Sequence, residues 1–369
     1  MKYKQKCNYS FYLAPFLWGF LGCIIVYSFM IFHFWWGNHD WKPLIYGISW
    51  DDGLFEARYS QHLFVSFLLN GQILPVLNVF IALLFLNILC ILSADYLNLI
   101  KKKKEYLLFI MLLACSPYTF VLFHYVFITI PMIIWGSILI LLLRLAEGPH
   151  KLWKMIVSVL VYAFALGGYP PNISFAITIF CGRKIILYQS KKQSLKNIII
   201  DSICLGCALV LGYAINQLII HYLTTFRDVE FKMYNMRTSP LIEILQKIPQ
   251  EFFNAFKAIF DIYMDLGVFY ASFIMITFIC AVFYILKTSH NKIISMVMLC
   301  ALILATRIAY LISENAYIAK FRIGYWAFLG LSAVALSILF NIKKQIIRNF
   351  IFALSIIALF HFINTDYEI

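Results

Sequence analysis

Eleven stretches of mostly apolar residues, most of them close to the length of a membrane-crossing helix, dominate this chain. They run at about 11–34, 73–92, 106–121, 126–143, 153–166, 173–187, 198–220, 267–286, 293–312, 323–340 and 350–362. A helix needs about 20 apolar residues to span the hydrocarbon core of a bilayer, and only closed hydrogen-bonding structures are stable there. Charged residues make up only 13% of the 369 residues, against about 25% in an ordinary soluble domain. So few charges cannot cover the surface of a water-soluble protein of this size. The expected fold class is an all-α polytopic membrane protein forming a single integral domain over 1–369, with about 11 transmembrane helices (9 to 12). Between the third and fourth stretches lie only residues 122–125. Between the fifth and sixth lie only Gly167-Gly168-Tyr169-Pro170-Pro171-Asn172. Both joints read as tight helical hairpins or partly re-entrant segments. The first stretch is too long for a cleaved signal peptide, and no small-residue cleavage site follows it.

The net charge of +13 would suggest nucleic acid in a soluble protein. In a membrane protein it is first a topology signal. With the N-terminus in the cytoplasm, 20 of the 30 Lys and Arg fall inside, the largest groups being Lys101 to Lys104 and Arg183, Lys184, Lys191, Lys192 and Lys196. Only four of the 17 acids join them: Asp95, Glu105, Glu147 and Asp201. The inner side then carries +16 and the outer side −3. This predicts an integral cytoplasmic-membrane protein whose outer face is acidic. The basic runs at Lys101 and Lys191 read as stop-transfer signals and contacts to anionic membrane lipids, with no nucleic-acid partner. The nine cysteines sit mostly inside the apolar stretches and are expected as free thiols. Cys204 and Cys207, though spaced C-x-x-C, read as small residues at a helix contact.

The inner loops are short, and neither a G-x-x-x-x-G-K-[ST] nor a usable G-x-G-x-x-G occurs. No nucleotide or redox cofactor is therefore expected. The chemistry concentrates in two long outer segments, 35–72 and 222–266, and a short charged one, 313–322. The first reads Trp35-Trp36-Gly37-Asn38-His39-Asp40-Trp41 and then Ser49-Trp50-Asp51-Asp52-Gly53-Leu54-Phe55-Glu56-Ala57-Arg58-Tyr59-Ser60-Gln61-His62. From Asp51 on, the pattern fits an amphipathic interfacial helix with Leu54, Phe55, Leu63, Phe64, Phe67 and Leu68 as its apolar side. Asp51, Arg58 and His62 follow at steps of 7 and 4 and lie near one face. Asp51 and Asp52 also suit a helix N-terminus as caps, and Arg58 also suits pairing with Glu56 or a lipid phosphate. Asp40 sits at the mouth of the bundle, where a carboxylate is costly unless paired or used.

In the second outer segment Arg227, Asp228, Glu230, Lys232, Tyr234 and Arg237 precede a second amphipathic run. Leu241, Leu245, Ile248, Phe252, Phe256 and Phe260 form its apolar face, and Glu243, Lys247, Gln250, Glu251 and Lys257 its polar face. It reads as an interfacial helix, either functional or a structural lid resting on lipid. In the third segment Lys320 and Arg322 suit a lipid-linked phosphate or pairing with Glu314.

Many spans, an acidic first outer loop and charge gathered on one side resemble the GT-C superfamily of lipid-phosphate-sugar glycosyltransferases. More narrowly, the chain resembles the bacterial O-antigen glucosyltransferase family of the type II serotype-conversion kind. Asn38-His39-Asp40-Trp41 stands where that family has an Asn-Asp-Asp-Trp-like motif, with His39 replacing one Asp. Ala57-Arg58-Tyr59 stands in the Gly-Arg-Trp-like place. Gly168-Tyr169-Pro170 echoes a later Gly-Tyr-Gln-like piece, and Arg322 with Gly324 echoes an Arg opening a late span. The resemblance implies a GT-C-like fold and transfer of a sugar, glucose by the family pattern, from a polyprenyl-phosphate donor. The acceptor would be a lipid-linked or surface polysaccharide on the outer face, and the transfer inverting.

A carboxylate must take the acceptor proton, and cations must hold the leaving phosphate. Asp40 is the expected base, with Asp51 and Asp52 second in line. Arg58, Arg237, Lys320 and Arg322 are the expected donor-phosphate ligands. Glu56, His62 and Tyr169 are expected around the sugar and acceptor. A divalent cation is optional if the basic residues hold the phosphate. The competing classes are a transporter or flippase of a lipid-linked sugar, a polysaccharide polymerase, and an acyltransferase for which His124 would be the histidine. Transport would call for ionisable groups at the membrane midplane and for internal repeats, whereas the charges here cluster at the mouths.

Overall fold

The computed structural model describes residues 9–32, 45–47, 58–72, 74–99, 103–120, 123, 126–148, 151–227, 241–266, 268–312 and 320–368. Among these every regular element is a helix, and there is no strand. In chain order they are α1 (Tyr9–Val26), α2 (Ser28–Phe32), α3 (Tyr59–Leu69), α4 (Pro75–Tyr96), α5 (Lys103–Ala114), α6 (Pro117–Phe120), α7 (Val126–Leu143) and α8 (Leu152–Leu166). There follow α9 (Pro171–Gln189), α10 (Leu195–Arg227), α11 (Leu241–Leu266), α12 (Val268–Thr288), α13 (Lys292–Ala305), α14 (Ile308–Ile312), α15 (Lys320–Phe340) and α16 (Gln345–Glu368).

Among the described residues three helices are both long and apolar enough to cross a membrane: Val76–Tyr96, Leu195–Leu223 and Gln345–Ile363. Six shorter apolar helices accompany them: Tyr12–Val26, Thr129–Leu143, Leu152–Leu166, Ser272–Thr288, Lys292–Ala305 and Trp326–Phe340. The stretch expected at 106–121 is broken at Cys115-Ser116, where Pro117 cannot continue the α5 hydrogen-bond ladder and starts α6.

The bundle is layered by burial. In α15 every side chain from Trp326 to Phe340 is buried, and so is every one from Pro171 to Phe180 in α9. Helices apolar on all sides belong in the middle of a bundle. The two pack along each other. A methyl group on Gly182 of α9 would collide with the isopropyl group of Val334 on α15, so the helices approach backbone to side chain at that level. Around this pair α4 packs along α7, and α8 along α10. The outermost helices expose apolar residues: Leu152, Trp153 and Ile156 on α8, Ile203 and Val210 on α10, Ile279 and Phe283 on α12, and Phe350 and Phe360 on α16. Such an apolar perimeter suits lipid, not water.

At one end of this bundle the four acids assigned to the inner side are all paired. Asp95 binds Arg144, and Glu105 lies 3.5 Å from Arg348. Glu147 Oε1 accepts from Arg183 Nε at 2.7 Å and Lys184 Nζ at 3.0 Å. Asp201 Oδ2 lies 2.7 Å from Lys184 Nζ. Tyr96 and Tyr12 add phenol donors to Glu147 and Asp95. Lys184 is 2% exposed, and its charge is met by two carboxylates. A buried charge survives only when so compensated. This network ties the ends of α4, α7, α9 and α10 together and leaves no unmatched carboxylate among its members.

Candidate functional site

The other end of the bundle is built on the joint between α8 and α9. Gly167 and Gly168 leave room for α3 to enter. A side chain on Gly167 would strike the Tyr59 ring, and one on Gly168 would lie 2.5 Å from Trp135 Cδ1. The backbone there holds the helix start directly. Ser60 N donates to Gly167 O at 2.9 Å and Gln61 N to the same oxygen at 3.3 Å. Tyr59 Oη donates to Ala163 O at 3.1 Å, and Ser60 Oγ to Phe164 O at 2.5 Å. The start of α3 is therefore inserted beside the last turn of α8.

The polar first turn of α3 enters the bundle, while Leu63 and Phe67 of the expected apolar side stay outward. Tyr59, Ser60, Gln61 and His62 are all buried, while Phe67 is 83% exposed and Leu63 lies outward too. A helix that rested its greasy face on the protein would show the opposite pattern. Here the polar turn faces protein and the apolar residues face out, the arrangement that a lipid surround favours around a polar interior. The expected interfacial helix is thus, in its described part, a helix with its first turn buried in the bundle.

Arg58 directly precedes this turn, and its carbonyl accepts from Gln61 N and His62 N. Tyr169, 111 positions later, is buried and close enough for the Arg58 charge to act on it. Burial pushes the Tyr169 phenol up to about 12. Arg58 opposes that rise, and Tyr310 adds to it. At physiological pH Tyr169 is therefore a neutral hydroxyl, able to donate and accept. The structure brings together Arg58 and Tyr169, two of the residues picked out from the sequence, with a third, His62, buried one turn after Arg58.

It also adds residues to which the sequence reading gave no site role. Arg307, in the joint between α13 and α14, sends Nε and Nη2 to Glu251 Oε2, each at 2.8 Å. Glu251 Oε1 accepts from Asn254 Nδ2 at 2.9 Å. The Arg307 guanidinium lies 3.7 Å from the centre of the Tyr310 ring, a cation–π contact. Ala309 N donates to Ser174 Oγ at 3.0 Å, which fixes α14 on the first turn of α9. A polar row thus runs from Arg58 through Tyr169 and Tyr310 to Arg307 and Glu251.

Glu251 was assigned to the solvent face of its amphipathic run. It is 2% exposed, while Leu245 and Phe256 of the expected apolar, lipid-resting face lie outward. Ala255, one turn on, is the buried neighbour. The correction has a physical reason: small residues let α11 approach, and a charge on the approaching face finds a buried partner. The signal available beforehand was Arg307 itself, a cation inside an apolar run, where an unpaired charge is expensive.

The remaining expected site residues divide into two groups. Asp40, Asp51, Asp52, Glu56 and Arg237 lie outside the described residues, as do His39 and His124. Lys320 and Arg322 occupy the first turn of α15, with their side chains outside the description. Among the described residues no group of three or more His, Cys, Asp or Glu could hold a metal ion. Cys204 and Cys207 are free thiols on α10, the second exposed.

A family model described as Glucosyl transferase GtrII matches residues 26–326. That range includes α3, the Gly167–Gly168 joint, Glu251, Arg307 and Tyr310. No curated protein and no solved structure matches the chain.

Proposed function

Because the chain belongs to the GtrII glucosyl transferase family, we propose that it moves a glucosyl unit from a polyprenyl-phosphate donor to an O-antigen-like, lipid-linked or surface polysaccharide acceptor. The reaction takes place on the outer face of the cytoplasmic membrane, in a GT-C-like, inverting enzyme whose N-terminus is cytoplasmic. The observation that carries this reading is the inserted polar turn of α3, which places Arg58 beside a neutral Tyr169 at one end of the bundle. A site of this kind offers a cation for phosphate and neutral hydroxyl and amide groups for a sugar.

In the step itself the acceptor hydroxyl oxygen attacks the anomeric carbon of the donor, and the bond from that carbon to the phosphate oxygen breaks. A carboxylate takes the acceptor proton, and polyprenyl phosphate leaves with the bonding pair. Asp40 is our choice for the base, with Asp51 or Asp52 next. Arg58, Arg237, Lys320 and Arg322 bind the phosphate as its charge grows. Glu56, His62 and Tyr169 bound the sugar and acceptor.

The charge distribution favours this over a flippase. Among the described residues the ion pairs with both members buried sit toward the bundle ends, Lys184–Asp201 at one and Glu251–Arg307 at the other. Purified protein supplied with polyprenyl-phosphate glucose or with nucleotide glucose tests the reading. Release of polyprenyl phosphate with glucose on the acceptor, from the lipid donor alone, supports it. Sugar crossing a vesicle membrane with its phosphate bond intact would establish transport instead.

A further inference from the structure

Buried polar atoms almost always find a hydrogen-bond partner. Gln61 does not: it is 1% exposed, and both its amide nitrogen and its amide oxygen lack one. Trp135 is also buried, and its indole nitrogen lacks an acceptor. The two orphans border the same piece of backbone. Gln61 N donates to Gly167 O, and the Trp135 ring lies against Gly168, where an added methyl would come within 2.6 Å of Nε1. Phe64, one turn after Gln61 on α3, meets the Trp135 ring edge-on with centroids 5.7 Å apart. Gln61 also stands one turn after Arg58.

We propose that Gln61 and the Trp135 N–H bind hydroxyl groups of the transferred sugar and so set which sugar the enzyme accepts. The inference rests on the glucosyl-transfer reading above and adds two residues to it. The chemistry selects the ligand. The Gln61 carbonyl can only accept, so the donor phosphate, itself an acceptor, would leave it unpaired. An amide offers N–H and C=O together, and an indole offers a further N–H. That set complements neighbouring hydroxyls, each of which donates and accepts. A protein keeps an unsatisfied buried amide at a cost in stability, and the cost is offset if substrate completes the hydrogen bonds. Strained or unsatisfied groups concentrate at functional sites for this reason.

The test compares the full-length wild-type protein with Gln61→Met and Trp135→Phe, which keep shape and remove the polar atoms. Two properties are read. One is unfolding temperature in detergent. The other is kcat/KM with polyprenyl-phosphate glucose and with its 2-, 3-, 4- and 6-deoxy analogues. The expected result is that Gln61→Met unfolds no earlier than wild type yet loses about 10-fold or more in kcat/KM. One deoxy donor, a poor substrate for wild type, should be no worse than glucose for the variant. If Gln61→Met fails to fold, Trp135→Phe gives the same comparison. Equal deoxy penalties in wild type and variant would overturn the inference, since ordered water would then satisfy these atoms. A wild-type protein that releases no polyprenyl phosphate from the glucosyl donor would overturn the underlying reading as well.

Discussion

Arg307 places two of its nitrogens on one oxygen of Glu251, although the two residues are 56 positions apart and both are buried. Asn254 holds the second oxygen, and Tyr310 covers the guanidinium face. One charged pair therefore fastens α11 to the bundle end that carries Arg58 and Tyr169.

Removing one member leaves a buried charge unmatched, which costs about 3–5 kcal/mol. Arg307→Met and Glu251→Leu should each lower the unfolding temperature sharply. The double variant should recover most of the loss, because the uncompensated charge is gone. A thermal-unfolding double-mutant cycle in detergent measures this. Simple additivity of the two losses would show that the pair is not coupled.

Helix approach gives a second expectation. Gly182→Ala pushes a methyl group into Val334, and overpacking of this sort costs about 1–3 kcal/mol. Val334→Ala in the same chain makes the space and should restore stability relative to Gly182→Ala alone. Failure of that rescue would mean that α9 and α15 do not meet at this level.

The network around Glu147 carries a pH signature. Burial raises the Glu147 carboxyl pKa, but the hydrogen bond and charge of Arg183, with Lys184 adding to them, bring it below its ordinary value of 4.5. A carboxyl depressed on folding contributes stability in full above 4.5 and loses it as pH falls through the lower folded value. Unfolding temperature should thus drop below pH 4.5 more steeply in wild type than in Glu147→Gln. Parallel curves would count against the assignment.

For the proposed transfer, Arg58→Gln removes the cation beside Tyr169 and should lower kcat/KM about 10²-fold, comparable with loss of one charge-stabilising donor. Asp40→Asn should be at least as severe if it is the base. Correctly inserted Asp40→Asn and Asp52→Asn proteins that keep full transfer would remove these acids from the mechanism. The assay is release of polyprenyl phosphate.

Much of this was legible in the chain itself. The apolar runs placed nearly every long helix, because 20 residues without charge have one stable conformation in lipid. The division of charge picked out Asp95, Glu105, Glu147 and Asp201 as one group, and the structure finds each of them paired. The short motifs around Arg58 and Tyr169 named two residues that do come together. What the sequence pattern could not give was direction. Periodicity says that two faces of a helix differ, not which one meets protein. In water the apolar face turns inward, while in lipid the polar face does so around a polar site. On that ambiguity Glu251 was placed on the polar outer face of its helix, yet it is buried.

The sequence by itself determined that the chain is helical, rich in apolar segments of which three form helices long enough to cross a membrane among the described residues, and a member of a glucosyltransferase family. Those properties depend on local composition and on short ordered motifs. Only the tertiary structure decided that α3 turns its polar side inward, that Gly167 and Gly168 admit it, and that Arg307 meets Glu251. Each of these depends on which distant helix supplies the space or the opposite charge, and neither is encoded within the segment that needs it.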